Sequence, residues 1–162
     1  MVKHLLLIRH AEAELPSADR KDKERPLTQK GLMDASRLGN KLDESDIRPD
    51  VILCSDAVRA RETATRLAEQ LFFDLQHIRY EQELYEASVR IYLQSVNQTD
   101  DKHNYLCIIG HNPTLSYLAE HLSGSEIGNM EPAGMVHLSF ETESWAQISG
   151  GLGSVEAVSQ PG

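Results

Sequence analysis

The sequence predicts an α/β fold, a three-layer α/β/α sandwich whose central sheet is mostly parallel with an antiparallel edge strand. Three short, unbroken apolar runs, "HLLLI" (4–8), "VILC" (51–54) and "YLCII" (105–109), are typical of strands that are covered on both faces. Segments with helical periodicity lie between these runs, as the crossovers between parallel strands require. Because crossover helices cover both faces of a sheet, the alternation predicts three layers.

The remaining elements of this alternation follow in chain order. Apolar residues recur with helical spacing from Thr28 to Leu42 and again from Val58 to Leu71, which predicts two amphipathic helices. A weaker strand, "HIRY" (77–80), is followed by a helix from about Ser88 to Gln98. Each helix follows a strand, as expected for a parallel sheet.

The segment "NPTLSYLAEHLSG" (112–124) carries the signals of both ends of a helix. Asn112 can cap the N-terminus, Pro113 suits the first helical position, and Gly124 suits the residue after the end. The sequence therefore predicts a helix directly after the "YLCII" strand.

The C-terminal part of the chain has a different pattern. In "MVHLSFE" (135–141) apolar and polar residues alternate, which predicts a half-exposed antiparallel strand at a sheet edge. The segment "WAQIS" (145–149) could pair with it. The glycines from Gly150 onward and the terminal Pro–Gly predict a frayed tail. We therefore expect one domain over 1–149 and a Gly-rich tail over 150–162.

Composition narrows the classes of function. The 162-residue chain has 16 basic and 25 acidic side chains and a net charge of −9, which argues against general nucleic-acid or membrane-surface binding. No apolar stretch approaches the ~20 residues of a membrane span, and the apolar run near the N-terminus is too short for a signal peptide. Cys54 and Cys107 lie in apolar runs, which favours reduced core cysteines in a cytoplasmic protein over a single disulfide.

Polar residues follow three of the predicted strands. Arg9–His10 follows the first strand, Ser55 ends the second with Arg59 in the next helical turn, and Gly110–His111 follows "YLCII". Ligands of an open parallel sheet bind beyond the carboxyl ends of its strands. We therefore expect two arginines, two histidines and two helix N-termini to line one crevice.

This crevice suits a phosphoryl group. Helix N-termini favour anions, and the guanidinium fork matches phosphate oxygens. The sequence has no Gly-rich phosphate loop, zinc-ligand spacing, G-x-S-x-G segment or carboxylate cluster typical of Mg²⁺, so we expect no metal or cofactor. A neutral His10 imidazole can attack phosphorus directly, and neighbouring cations should keep its pKa below the usual ~6.5.

Five segments resemble, in order, the motifs of the histidine phosphatase superfamily, also called phosphoglycerate mutase-like. They are "LIRHAEAE" (7–14), "RPLTQKGLMDA" (25–35), "CSDAVRARETA" (54–64), "ELYEAS" (83–88) and "IIGHNPTL" (108–115). The chain is most similar to the short branch around bacterial phosphohistidine phosphatase, which lacks the long insertions of mutases and larger acid phosphatases. The resemblance implies the phosphoglycerate mutase-like form of the α/β/α sandwich.

The resemblance also implies roles for individual residues. It makes His10 the nucleophile, and it makes Arg9, Arg59 and His111 the residues that bind the phosphoryl oxygens. Ala11 stands where the motif has glycine, a departure that we expect the fold to tolerate.

Three further assignments concern the rim of the pocket. Glu86 stands where many members carry the proton donor for the leaving group, and Glu83 is its rival. Arg25 and Ser55 are predicted to bind substrate, Arg25 from near the pocket mouth. The charged stretch "DRKDKER" (19–25) is either a solvated loop or a rim that selects substrates.

The resulting hypothesis is a metal-independent phosphatase that acts through a phosphohistidine intermediate on His10. The expected substrate is a protein phosphohistidine, and the alternative is a small-molecule phosphate monoester. A mutase needs a closed pocket, for which the short chain leaves little length. A catalytically idle phosphoryl-binding module would be expected to lack His10. The expected partner is therefore a phosphorylated protein or a small phosphate ester, and neither nucleic acid nor membrane.

Overall fold

The apolar runs of the sequence form the inner strands of a six-stranded sheet in the structure, a computed structural model that describes residues 1–161. The strands are β1 (Lys3–Arg9), β2 (Val51–Ser55), β3 (Arg79–Glu81), β4 (Tyr105–Gly110), β5 (Met135–Phe140) and β6 (Ser154–Ser159). The α-helices are α1 (Gln29–Glu44), α2 (Val58–Gln70), α3 (Val89–Asn97) and α4 (Thr114–Ser123). Single 3₁₀ turns occur at Asp22–Glu24, Leu75–His77, Gln82–Leu84 and Trp145–Gln147.

The strand order is β3-β2-β4-β1-β5-β6. The first four strands of this order run parallel, whereas β5 is antiparallel to β1 and β6 is antiparallel to β5. The carboxyl ends of β1, β2 and β4 therefore lie side by side at one edge of the sheet.

Both faces of β1 are buried, which explains why its apolar run has no polar interruption. Leu5 and Leu7 pack in the cluster that includes α3 and α4, whereas Leu6 and Ile8 pack in the cluster that includes α1 and α2. Two helical layers thus enclose the sheet, and the prediction of a three-layer α/β/α sandwich is confirmed.

Residues near the helix ends stabilise those ends, and the expected end of α4 at Gly124 is confirmed. The Thr28 hydroxyl accepts a hydrogen bond from the Gly31 amide at 3.0 Å and caps α1. Gly124 ends α4 in the left-handed conformation, with φ of 68°. Pro113 lies one residue before α4 rather than in its first turn, while the Asn112 side chain accepts from the Ser116 amide at 3.3 Å.

The prediction that "MVHLSFE" is a half-exposed edge strand is wrong in two respects. All six residues of β5 are buried, and β6 lies outside it at the sheet edge. The polar residues are buried because they have partners: His137 Nε2 lies 2.9 Å from His4 Nδ1, and Ser139 donates to Glu156 at 2.6 Å. The alternation of apolar and polar residues in β5 therefore reflects a face that is polar and nevertheless buried.

The expected frayed tail over 150–162 is contradicted at its centre, because the six residues Ser154–Ser159 form β6. The last residue of this expected tail, Gly162, lies outside the described residues. Val155 pairs with Leu138 and Val158 pairs with Val136, so the valines continue the apolar pattern of β5. The glycines, which suggested disorder, instead form the turn that returns the chain to the sheet.

The pairing of β6 is irregular at its centre. Ala157 is opposite His137 and Val155 is opposite Leu138, so Glu156 is an extra residue with no opposite number on β5. β6 is also largely exposed, and its outer backbone edge pairs with no other strand among the described residues.

Two short segments differ from their sequence-based assignments. "WAQIS" forms a 3₁₀ turn rather than a strand, since Trp145 is fully buried and its indole N–H donates to the His103 carbonyl at 2.8 Å. His77 belongs to a 3₁₀ turn, and the strand predicted from it begins at Arg79.

The two cysteines are free and buried, as predicted. Cys54 and Cys107 lie on the neighbouring strands β2 and β4 and pack in the same apolar cluster. Across residues 1–161, the helices are too short or too polar to cross a bilayer.

We expect the amides of β6 that bond to β5 to exchange slowly with solvent, because paired strand amides are protected. Hydrogen exchange followed by mass spectrometry on the peptide covering 154–159 measures this directly. The exposed loop over 15–19, whose amides donate to no main-chain carbonyl, serves as the weakly protected reference. Exchange of 154–159 at the rate of that loop would contradict the pairing and restore the frayed tail.

Candidate active site

A cleft of about 510 Å³ opens where β1, β2 and β4 end. The His10 amide donates to the Gly110 carbonyl at 3.0 Å, so the two histidine-bearing turns are joined through their main chains. The polar side chains that line the cleft are Arg9, His10, Glu12, Asp22, Arg25, Arg59, Tyr85, Glu86, His111, Asn112 and Thr114. The arrangement brings together the five residues expected to carry the chemistry, which are Arg9, His10, Arg59, Glu86 and His111.

His10 is held in one tautomer by its own loop. Its side chain is 9% exposed, and Nδ1 lies 2.7 Å from the Ala11 carbonyl oxygen. A carbonyl only accepts hydrogen bonds, so Nδ1 carries the proton and donates. In the neutral ring this leaves Nε2 with a free electron pair.

Burial lowers the pKa of His10 to about 4, against the partly opposing effect of the hydrogen bond to Ala11, and the charges of Arg59, Arg9 and Arg25 lower it further. The cations had been expected to be the main cause, but burial is the larger one. His10 is therefore neutral at pH 7.

His111 faces His10 across the cleft, with ring centroids 5.2 Å apart. Burial lowers its pKa to about 3, with further lowering by His10 and Arg59. At neutral pH the two rings are therefore uncharged, and the positive charge of the cleft belongs to its arginines.

Arg59 and Arg9 both line the cleft, and hydrogen bonds to neighbouring segments hold each of them. Arg59 is 5% exposed and donates from both terminal nitrogens to Asp22, at 2.8 Å to its carbonyl and 3.0 Å to Oδ2. Arg9 donates to the Met130 carbonyl at 2.8 Å. Within residues 1–161, Nε of each arginine is buried without a hydrogen-bond partner. A guanidinium has five N–H donors in total, so two of these groups in the lining suit an anion in the cleft.

Asp22 is a cleft residue that the sequence analysis did not single out. Besides Arg59, its carboxylate accepts hydrogen bonds from Tyr85 Oη and from Arg25 Nε, the latter at 2.9 Å. The hydrogen bonds from Tyr85, Arg59 and Arg25, in that order, hold the pKa of Asp22 well below its usual range. Asp22 is therefore an anion that links two arginines and a tyrosine.

Arg25 lies at the cleft as expected, where it also donates to the Glu14 carbonyl at 2.7 Å. Of the two rival acids, Glu86 lines the cleft, whereas Glu83 lines a separate, neighbouring depression. Glu86 is exposed, and it makes no hydrogen bond to another described residue. Glu12 is a further cleft carboxylate, and its Oε1 accepts from the Thr28 hydroxyl at 2.8 Å.

The predicted direct contact between Ser55 and substrate does not fit its position. Ser55 is fully buried and is absent from the cleft lining. Its hydroxyl instead lies 2.8 Å from His111 Nε2. The sequence located the end of β2 correctly, but the Ser55 side chain contacts His111 rather than lining the cleft.

The segment "RPLTQKG" brings the start of α1 against the loop that follows His10. The Thr28 amide donates to the Glu12 carbonyl at 2.9 Å. A Cβ on Gly31 would overlap that same carbonyl oxygen, so glycine permits the close approach. Ala11 does not adopt the left-handed conformation, which agrees with the expectation that alanine is tolerated there.

The sequence gives only indirect signs that Asp22 and Tyr85 belong to the cleft. Asp22 lies in the charged stretch "DRKDKER" and Tyr85 lies in "ELYEAS", but their contact spans 63 positions of sequence. No local periodicity reveals such a contact. In residues 1–161 no cluster of three or more His, Cys, Asp or Glu side chains is arranged to hold a metal ion.

We expect the His10 imidazole to titrate with a midpoint near pH 4, against ~6.5 in the unfolded chain. Nuclear magnetic resonance of histidine ring nitrogens over pH 3–8 measures this. Between these two pH values the unfolded chain binds more protons, so His10 makes stability fall as the pH decreases through that window. His10→Asn should reduce this slope. A midpoint near 6.5 would contradict the buried, neutral imidazole.

Comparisons with known proteins agree with the fold and the site. The model of the histidine phosphatase superfamily (branch 1) matches residues 5–92. An uncharacterised protein of Mycobacterium tuberculosis is 32% identical over 112 residues, which cover 69% of this chain and 67% of that protein.

Two further comparisons concern proteins that are described as phosphatases. A structure from Nakamurella multipartitia, described as a candidate phosphohistidine phosphatase SixA, superposes with a TM-score of 0.87 at 25% identity. The match covers 99% of this chain and 97% of that chain. The mitochondrial serine/threonine-protein phosphatase Pgam5 of Drosophila virilis is 27% identical over 91% of this chain, which spans 55% of that protein. The family model, together with these likenesses, leads to one conclusion: the chain is a phosphatase-type member of the histidine phosphatase superfamily, within its short, SixA-like branch.

Proposed function

We propose that this chain is a metal-independent phosphatase that removes the phosphoryl group from phosphohistidine in a protein, through a covalent intermediate on His10. The observation that carries the proposal is the state of His10. Its Nδ1 is engaged by the Ala11 carbonyl, its ring is neutral at pH 7, and Nε2 is free beside Arg9 and Arg59.

In the first step, His10 Nε2 attacks phosphorus in line with the bond to the leaving group. An N–P bond forms as the bond between phosphorus and the leaving atom breaks, and the leaving atom takes that bond's electron pair. Arg9, Arg59 and His111 would hold the phosphoryl oxygens, where hydrogen bonds and positive charge stabilise the transition state. The two arginines supply the charge and His111 supplies a neutral contact.

In the second step, water attacks the phosphorus of phospho-His10. The N–P bond breaks, its electron pair returns to Nε2, and inorganic phosphate leaves. Glu86 lines the cleft and is exposed to solvent, which suits a carboxylate that accepts a proton from the attacking water. Its place at the cleft supports Glu86 over Glu83 for this role.

A phosphohistidine substrate fits the weak acid assistance in this cleft. The leaving imidazole needs less protonation than an alkoxide. Glu86, the expected proton donor, is exposed and has no hydrogen bond to another described residue that would fix its position. Both histidines have lowered pKa values and are neutral at pH 7, so neither is an imidazolium that could protonate the leaving group. The similarity to SixA supports the same substrate class.

A small-molecule phosphate monoester is the second candidate. The cleft is large enough for one, and its arginines would bind an ester phosphate equally well. The buried free cysteines support the expected cytoplasmic location, which stays a prediction.

The decisive experiment measures phosphate release from a phosphohistidine-bearing protein in the presence of a metal chelator. We expect release by the wild-type chain and none by His10→Ala. A phosphoserine peptide and a panel of small phosphate esters run in parallel. Faster release from an ester or from phosphoserine would replace the phosphohistidine substrate. Release that persists in His10→Ala would contradict the covalent mechanism.

We expect Glu86→Gln to slow ester hydrolysis more than phosphohistidine hydrolysis, because an alkoxide needs more acid assistance. Glu83→Gln is the matched control, since Glu83 lies outside the cleft. The measurement is kcat for both substrate types in the three proteins. Equal rates for Glu86→Gln and wild type on both substrates would remove Glu86 from the mechanism.

We expect Asp22→Asn to lower kcat/KM by about 10- to 100-fold, because Arg59 would lose the carboxylate that orients it and small displacements of positioning groups cost this much. Asp19→Asn is the control, as Asp19 lies in the same charged stretch but outside the cleft lining. An increase in activity of Asp22→Asn would show instead that the carboxylate competes with the phosphoryl group.

A further inference from the structure

Ser55 makes its main side-chain contact with His111, not with the cleft. It is the last residue of β2, and His111 follows the last residue of the neighbouring strand β4. The Ser55 hydroxyl is fully buried and lies 2.8 Å from Nε2 of the His111 ring. Which of these two atoms donates the hydrogen determines what the other ring nitrogen offers to a ligand.

The other partner of the hydroxyl decides the direction of this hydrogen bond. The Ala57 amide donates to Ser55 Oγ at 3.2 Å. Within residues 1–161, the only remaining partner of Oγ is His111 Nε2, so it is the only acceptor for the hydroxyl hydrogen. If Nε2–H donated instead, a fully buried hydroxyl hydrogen would have no acceptor, which native structures avoid. Ser55 is therefore the donor and Nε2 the acceptor.

The opposite ring nitrogen is left for the cleft. Nδ1 of His111 has no hydrogen-bond partner in residues 1–161, and it is not among the buried unpartnered atoms, so it can be reached from the cleft that His111 lines. Since burial keeps the ring neutral at pH 7, only one nitrogen carries a hydrogen. With Nε2 accepting, that nitrogen is Nδ1.

We propose that Ser55 is a positioning residue that holds His111 in the neutral Nδ1–H tautomer, so that the ring presents an N–H donor rather than an electron pair to an anion in the cleft. The identification of this anion with a phosphoryl group rests on the proposed function. The tautomer itself is a property of the free chain.

The two histidines then have complementary states. His10 donates from Nδ1 to a carbonyl and offers the electron pair of Nε2. His111 accepts at Nε2 from Ser55 and offers the hydrogen of Nδ1. One ring can thus attack phosphorus while the other donates to its oxygen, and neither needs a charge. With the other tautomer, His111 would direct an electron pair at the phosphoryl oxygen and repel it.

Tyr92 contacts the same histidine in a different way and provides a control. The His111 amide donates to Tyr92 Oη at 3.2 Å, and this hydroxyl donates to the Leu84 carbonyl at 2.7 Å. Tyr92 is buried like Ser55, but it holds the main chain and does not touch the ring nitrogens. Its removal should leave the tautomer unchanged.

The test determines which ring nitrogen of His111 carries the hydrogen in the ligand-free protein at neutral pH. Long-range ¹H–¹⁵N spectra of the chain with ¹⁵N-labelled histidine distinguish a protonated from an unprotonated ring nitrogen, and the spectrum of His111→Asn identifies the signals of His111. We expect Nδ1 of the wild type to have the shift of a protonated nitrogen and Nε2 that of an unprotonated one. Protonated Nε2 in the wild type overturns the proposal, whatever the variants do.

The variants test the cause. Ser55→Ala should shift His111 toward the Nε2–H tautomer, and Tyr92→Phe should not. An unchanged tautomer in folded Ser55→Ala would overturn the role of Ser55. If Ser55→Ala does not fold, Ser55→Thr, which keeps a hydroxyl donor, should preserve the wild-type pattern, and loss of the pattern in folded Ser55→Thr would count against the proposal.

Kinetics separate this proposal from the proposed function. Ser55→Ala should lower kcat/KM for phosphate release by about tenfold or more. Ser123→Ala is the control, because it removes a part-buried hydroxyl that bonds to the Ala119 carbonyl at the far end of α4. If the wild type shows the Ser55-dependent tautomer but releases no phosphate, the proposed function fails and the tautomer assignment stands. If phosphate release is normal in Ser55→Ala despite a changed tautomer, the positioning role is overturned.

Discussion

The contact between Asp22 and Arg59 is the interaction on which the candidate site depends. Arg59 carries a charge that is almost entirely withdrawn from water, and an arginine does not lose its proton to relieve this. Asp22 supplies the opposite charge through its carboxylate and a further acceptor through its carbonyl. The same carboxylate extends to Arg25 and Tyr85, so one acidic residue organises one wall of the cleft.

The histidines respond to the same environment in the opposite way. Their ordinary pKa lies close to neutrality, so burial and nearby positive charge make the neutral ring the stable form. The basic residues of the cleft therefore differ in charge at neutral pH. In the proposed mechanism, the charged arginines bind the phosphoryl group, and the neutral histidines supply an electron pair and a hydrogen.

Much of this arrangement could be predicted because it depends on strand ends. Apolar runs located β1, β2 and β4, and parallel pairing requires the residues after them to meet, which placed Arg9, His10 and His111 together. Asp22 could not be located in this way, since its position depends on hydrogen bonds to residues 37 and 63 positions away. Ser55 was placed at the right strand end with the wrong partner, because sequence alone does not give the direction of a side chain.

The C-terminal segment was misjudged for a related reason. Glycines and small polar residues near 150 resemble the composition of a disordered tail, and the pairing that orders β6 is visible only beside β5. Alternation in β5 indicated one exposed face, but histidine and serine on that face are buried by specific partners, His4 and Glu156. Long-range polar contacts account for both differences.

The extra residue in β6 affects what could add to the sheet. An outer strand with unpaired amides and carbonyls can pair with a strand of another chain. Such an addition would also bury apolar surface of the partly exposed Val155 and Val158. The regular pairing is interrupted at Glu156, however, so an incoming strand would lose its register with the sheet at this residue. The extra residue in β6 therefore disfavours edge-to-edge pairing between copies of this chain at the exposed edge of the sheet.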